Sequence, residues 1–351
     1  MNVKTYQIIE DYENLNHAGS KATNDAVQIF REIGAIDIPI LVSTRKKSII
    51  HLLRRQLNFY INWRKIYRQV ENNSIVILQN PFRFRQFGRT KLLLKLKKKK
   101  DVKIISLIHD VELLRYDNPK NQKEFQETLK IADRLIVHNQ QMKSWFIKRG
   151  VESDKLIVLE IFDYLSEKSS EEKTTYSKNV YIAGNLAKDK SPYVYNLEQV
   201  PKVQFNLMGV NYNSDNKIHN VSYLGSFLPE EVPSKLNNGF GLVWDGPSIE
   251  TCSGVTGDYL RYNNPHKLSL YLSSALPVII WSEAAESEFV TKYGVGITVS
   301  SLKELADEIN SITEEKYENM VRNTIQIKEK LQSGHYLKKA ITQSIDSIKE
   351  K

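Results

Sequence analysis

The chain has 351 residues, 41% hydrophobic and 26% charged, with 15 Gly and 10 Pro; this excludes a disordered, collagen-like or low-complexity polypeptide and suits about two domains. A single cysteine, Cys252, excludes a disulfide framework and a Cys-ligated zinc site. Of the net charge of +9, residues 1–165 carry +12 (30 basic, 18 acidic) and the remainder −3 (20 basic, 23 acidic).

In chain order, residues 3–9, 36–42, 75–78, 104–108, 135–137 and 157–159 form short apolar runs rich in β-branched side chains, each predicting a strand. Helical spacing falls between them at about 20–32, 51–70, 122–132 and 139–149; in 51–70 it rests on Leu53, Leu57, Tyr60, Ile61 and Trp63. Residues 166–178 (SEKSSEEKTTYSK) are polar and aperiodic and read as a linker. The alternation then restarts, with strands at 180–183, 203–208, 221–224, 241–243, 278–280 and 296–299 and amphipathic helices at 314–331 and 336–348. Continuous apolar strands separated by helices indicate parallel sheets buried on both faces. The expected organisation is an α/β fold of two doubly wound, Rossmann-like domains facing a cleft. Residues 1–165 form a basic first domain, 166–178 a linker and 179–332 a second domain, and 333–351 form a C-terminal helix that packs back on the first domain.

The basic side chains concentrate in Arg45-Lys46-Lys47, Arg54-Arg55, Arg64-Lys65 with Arg68, Arg83, Arg85 and Arg89, and the run 91–100 (KLLLKLKKKK). A solvated face, a phosphate-backbone groove and an anionic membrane surface all suit such patches. Leu92, Leu93, Leu94 and Leu96 among lysines favour a surface-lying amphipathic helix and a peripheral membrane contact. No familiar nucleic-acid module is present, so no nucleic-acid partner is expected. Neither an export signal nor a window of about 20 apolar residues is seen, which leads to the expectation of a cytoplasmic protein.

Several chemistries lack their motifs. There is no GxxxxGK[ST], no GxGxxG after the first strand, no GxSxG, no HExxH and no Asp-x-Asp, and the seven histidines show no metal-ligand spacing. No metal is expected.

Four loops lie where an α/β sheet binds ligands, beyond the carboxyl ends of strands. Gly184, Asn185, Leu186 and Lys188 follow the first strand of the second half, a turn whose amides and lysine suit a phosphate. In Asn263-Asn264-Pro265-His266-Lys267, Asn264 suits a helix N-cap and Pro265 the first helical position. Lys267 then opposes the helix dipole, a choice that makes sense if an anion sits there. Asp245 ends a strand at an Asp-Gly turn, where it can orient a sugar hydroxyl, and the small-residue loop 251–259 ends at Tyr259. In the first half, His17, Gly19 and Ser20 follow strand one, and Asp110 follows a buried strand where a general base would sit, with Glu112 as substitute.

The segment "GFGLVWDG…CSG..GDYLRYNNPHKLSLYLSSALPVIIWSEAA…FV…GVGITVSSL", together with "YIAGNLAKDKS", resembles a bacterial sugar transferase family of GT-B fold. That family includes the second glucosyltransferase of serine-rich adhesin glycosylation and β-1,6-galactofuranosyltransferases. In the first half only the strand-one loop and "LIHDVE" are similar. The resemblance implies a UDP-sugar donor on the second domain near Lys267 and the Asn185–Lys188 loop, and an acceptor, a lipid-linked oligosaccharide or a glycopeptide, on the first. It further implies inverting, metal-independent transfer of galactofuranose or glucose with no cofactor, the UDP-sugar being a substrate, and a homo-oligomer in some members. The glutamate pair of retaining GT-B enzymes is missing; Glu283, Glu286 and Glu288 crowd one loop instead. The competing reading is a non-enzymatic, basic nucleotide- or polyanion-binding protein.

Overall fold

The β-branched runs become two sheets, parallel throughout, in a computed structural model that describes residues 3–12, 21–42, 48–166, 174–213 and 218–350. The first half contains β1 (Thr5–Tyr12), α1 (Lys21–Glu32), β2 (Ile36–Val42), α2 (Ile49–Gln69), β3 (Ile75–Asn80), α3 (Arg89–Lys100), β4 (Lys103–Ile108), α4 (Glu112–Arg115), α5 (Pro119–Ile131), β5 (Arg134–Val137), α6 (Gln140–Ile147) and β6 (Leu156–Val158). Its strand order is β2-β1-β3-β4-β5-β6. The second half contains β7 (Thr175–Asn185), β8 (Phe205–Val210), β9 (Val221–Gly225), β10 (Asn238–Val243), α7 (Gly254–Tyr259), α8 (His266–Ser273), β11 (Val278–Trp281), α9 (Ser287–Tyr293), β12 (Gly296–Val299), α10 (Leu305–Asn310), α11 (Glu314–Gln332) and α12 (His335–Lys349), with strand order β12-β11-β10-β7-β8-β9.

These orders locate the crevices. In a doubly wound sheet the connections diverge at the switch point, and ligands enter there beyond the strand ends. The switch point falls between β1 and β3 in the first sheet and between β7 and β10 in the second. The central strands are buried on both faces, as continuous apolar runs require: Ile75, Val76, Ile77 and Leu78 in β3, and all of β11, are solvent-inaccessible or nearly so.

α12 crosses back onto the first half, packing against α1, β5 and β6. Asp163 accepts from the amides of Tyr336 (3.1 Å) and Leu337 (2.7 Å) in the first turn of α12, and Arg134 donates to Ser347 Oγ at 2.7 Å near its end.

Three expectations change. β7 begins at Thr175, pairing with Asn238 of β10, so the stretch read as the end of a linker is already strand. α3 is not a surface-lying amphipathic helix. Leu92, Leu93 and Leu96 pack inward, while Lys97 reaches the carbonyl of Ile131 (2.8 Å) and Lys100 that of Val70 (2.5 Å). The aliphatic stems lie along the protein and the ammonium groups reach backbone acceptors. In α2 the buried stripe is Phe59, Trp63 and Ile66, whereas Leu53, Leu57 and Ile61 face solvent.

Candidate active site

At the switch point of the second sheet, β7 ends at Gly184-Asn185 and β10 runs into Trp244-Asp245. Lys267, in the first turn of α8, extends into this corner. Its ammonium lies 2.8 Å from Asp245 Oδ1 and donates to the carbonyl of Trp244 at 3.2 Å. Its Cε stands 3.6 Å from where a Cβ on Gly184 would be. Burial by itself would lower the Lys267 pKa, but the Asp245 carboxylate outweighs it and the net shift is upward, holding the ammonium charged. A Cβ on Gly209 of β8 would lie 1.7 Å from the carbonyl oxygen of Gly184, so the neighbouring strand must carry a glycine for β7 to end where it does.

At the switch point of the first sheet, a cavity of about 520 Å³ is lined by β1 from Ile8 to Tyr12, by Gln79 and Pro81–Arg83 beyond β3, and by His109-Asp110 beyond β4. Asp110 is half-buried, and its Oδ1 pairs with Arg115 at 2.7 Å; a second guanidinium nitrogen of Arg115 holds Glu112 at 3.0 Å. Burial raises the Asp110 pKa, opposed chiefly by Arg115. Tyr259, from the second half, completes the cluster. Its hydroxyl accepts from the amide of Val111, next to Asp110, at 2.9 Å, and Arg115 stacks on its ring at 4.2 Å. The carboxylate read as a base is therefore tied, through Arg115 and the Val111 amide, to a residue of the opposite domain.

The sequence-derived residues separate into groups. Lys267, Asp245 and Gly184 come together. Asp110, Glu112 and Tyr259 come together at the cleft's other wall, so Tyr259 sits with Asp110 instead of with Lys267. Asn185 is exposed, its Oδ1 accepting from the amide of Ala187 and from Asn211, and Lys188 is exposed in the following turn. Leu186 is a core residue, its amide bonded to Val210 and its carbonyl to the Tyr195 hydroxyl, which leaves no polar group for a ligand.

Asn264 is not the N-cap. Pro265 holds that position with extended backbone and α8 starts at His266. The Asn264 side chain is buried across the domain junction instead, accepting from Asn139 (2.7 Å) and donating to the carbonyls of His138 (3.0 Å) and Glu160 (2.9 Å). His266 packs on Phe162 and Tyr164, its Nε2 buried without a partner. His17, Gly19 and Ser20 lie outside the described residues.

Sequence reasoning missed Arg115 and Glu10, and named Glu286 only as one of three glutamates crowding a loop. Glu10, on the first-domain cavity, accepts from Tyr12, Gln86 and the amide of Arg83. Glu286 is 1% exposed and lines a separate crevice with Asn139 and Glu160. An acidic residue closing an otherwise apolar strand was the available signal for Glu10; Arg115 carried none. Among the described residues, no group of three His, Cys, Asp or Glu side chains is arranged to hold a metal ion.

Two Rossmann-like domains joined across such a cleft define a GT-B-type fold. It is shared with the lipopolysaccharide outer core galactosyltransferase WaaB (TM-score 0.61, 13% identity, 98% of this chain and 99% of the other). It is shared equally with HepE of Anabaena, solved with UDP and glucose (TM-score 0.62, 12% identity, 98% and 100%).

Residues 5–161 match the N-terminal domain and 180–344 the C-terminal domain of the glucosyltransferase 3-like family. The chain is 34% identical over 341 residues to the β-1,6-galactofuranosyltransferase WbbI of Escherichia coli K12, covering 95% of this chain and 96% of the relative. It is 26% identical over 337 residues to glucosyltransferase 3 of Streptococcus gordonii, covering 94% and 93%. The chain belongs to the glucosyltransferase 3-like family and is a glycosyltransferase.

Proposed function

We propose that this enzyme transfers a hexose from a UDP-sugar to a sugar acceptor, with inversion and without a metal ion, in surface polysaccharide or glycoprotein assembly at the inner face of the membrane. The observation that carries the reading is the charged Lys267 at the switch point of the second sheet, beside Asp245 and the glycine end of β7. A leaving diphosphate needs compensating positive charge, and a fixed ammonium beside strand-end amides supplies it electrostatically. UDP and UDP-glucose are bound in HepE structures of the same fold.

In the single displacement, an acceptor hydroxyl attacks the anomeric carbon from the face opposite UDP. The bond from that carbon to the diphosphate oxygen breaks, and the hydroxyl proton passes to a carboxylate. Asp110 takes this last role: it lines the acceptor-side cavity, and Arg115 favours its ionised form against the effect of burial. The relative at 34% identity makes UDP-galactofuranose the first donor to test and UDP-glucose the second. Thermal shift with UDP, ADP and GDP, with and without EDTA, tests the donor class. Stabilisation by UDP alone, indifferent to EDTA, is expected; an equal response to all three nucleotides, or one abolished by EDTA, overturns it.

A further inference from the structure

α2 has three faces. Phe59, Trp63 and Ile66 anchor it in the core. A polar strip carries His51, Asn58 and Asn62. The third face is apolar and open to solvent: Ile49 (75% exposed), Ile50 (63%), Leu53 (66%), Leu57 (58%) and Ile61 (44%). The spacing 49, 53, 57, 61 sets these side chains in one row along the helix. The neighbouring loop extends the row. Gln56 donates to the carbonyl of Arg85 and accepts from the amide of Phe87, and Phe87, 64% exposed, packs against Tyr60 at 5.6 Å between ring centroids. Exposed aliphatic side chains scattered singly mean little, but a continuous row on one helix marks an interaction surface.

Charge identifies the occupant. Arg64 and Arg68 continue the same face of α2 toward its C-terminus, Arg54 and Lys65 flank it, and Arg83 and Arg85 stand on the adjoining loop. No acidic residue occurs anywhere in α2. A second copy of this chain docking face to face would set these cations against their own counterparts. A bilayer rich in anionic lipid complements both features at once: the aliphatic row enters the acyl boundary and the guanidinium groups meet the phosphates.

We infer that α2, with Phe87, is the surface by which this enzyme lies on an anionic membrane. α3, with Leu92, Leu93 and Leu96 buried and Leu94 partly so, contributes chiefly cationic charge. The inference deepens the proposal that the enzyme works at the membrane face, and it stands independently of donor and catalytic base.

Flotation of the full-length protein with vesicles of phosphatidylcholine alone, or with added phosphatidylglycerol, tests it. Binding to the anionic vesicles only is expected. The variant Leu53→Ser/Leu57→Ser/Phe87→Ser removes exposed side chains, so its thermal midpoint and UDP-induced shift should match wild type while vesicle binding falls about tenfold or more. Lys98→Ala/Lys99→Ala on α3 should lose less than the apolar variant. Wild-type protein that ignores anionic vesicles yet responds to UDP overturns the membrane surface and leaves the transferase reading intact. An apolar variant that binds vesicles normally, or one whose only change is dissociation of an oligomer seen by sedimentation, also overturns it.

Discussion

The backbone amide of Asn264 donates to Nδ1 of His138 at 2.9 Å, tying the segment before α8 to the end of β5 across the domain junction. Because Nδ1 accepts, the ring must carry its proton on Nε2, which faces the carbonyl of Ile108 at 3.0 Å. The junction is thus built on a neutral histidine. Burial lowers the His138 pKa to about 3, and His109 and His266, which share Phe162 as a ring neighbour, are lowered to about 3 and about 4. A histidine whose folded pKa lies below its unfolded value of about 6.5 contributes stability that is fully present above pH 6.5 and lost as pH falls toward the folded pKa. For His138, 1% exposed, the loss at pH 5 is about 2 kcal/mol. The thermal midpoint should therefore fall steeply from pH 7 to 5. His138→Gln should be less stable at pH 7.5 but show a shallower acid slope; equal slopes in the two proteins would sink the argument.

Lys267→Met should abolish the UDP-induced thermal shift and lower turnover by about 10²–10³, the cost of removing one preorganised charge from a developing anion. Asp245→Asn tests why the lysine stays charged. Without the carboxylate, burial pushes the Lys267 pKa down, so the alkaline limb of the turnover profile should move to lower pH. A Lys267→Met enzyme with normal turnover would remove the proposed donor site.

Asp110→Asn should cost about 10²–10⁴ in turnover while UDP binding persists, since the base acts on the acceptor. Glu112, on the same guanidinium but not lining the first-domain cavity, is the control: Glu112→Gln should change turnover by less than about threefold. If the two variants exchange these effects, Glu112 is the base. Tyr259→Phe removes the hydroxyl that receives the Val111 amide; it should raise KM for the acceptor with UDP affinity unchanged, because the Asp110 loop loses its tie to the second domain.

How far these features were readable follows from the distances over which they act. Parallel strands were legible because a strand buried on both faces needs an unbroken apolar run, and 75–78 and 278–280 supply one each. Lys267 stood out in the sequence as a candidate because a cation in the first helical turn goes against the dipole. Its partner Asp245 was read as a separate sugar contact, because the pair forms only when β10 and α8 converge. Asn264 shows the opposite failure: its residue type suits a cap, and tertiary contacts with His138 and Glu160 claimed the side chain instead. In α2, helical spacing grouped Trp63 with Leu53, Leu57 and Ile61, and it passed over Phe59 and Ile66, since only the tertiary packing decides that Phe59, Trp63 and Ile66 face inward.

Gly241 of β10 packs directly beneath the ring of Tyr271 in α8; a Cβ there would meet the ring carbons at 2.1 to 2.5 Å. A ring wall cannot yield as a flexible chain end would, so Gly241→Ala must push α8 away from the sheet. The Tyr271 hydroxyl accepts from the amide of Ala183 at 2.8 Å and donates to the carbonyl of Tyr181 at 3.2 Å, so the same displacement strains β7 just before Gly184. Overpacking of this kind costs about 1–3 kcal/mol. Because Lys267 lies one turn before Tyr271 on α8, the shift also carries its ammonium away from Asp245. Gly241→Ala should therefore lower both the thermal midpoint and UDP affinity, whereas Gly34→Ala, with open space around its Cβ but a φ of +87°, should lower the midpoint alone. Unchanged UDP affinity in a destabilised Gly241→Ala protein would show that the donor corner does not depend on how α8 is seated.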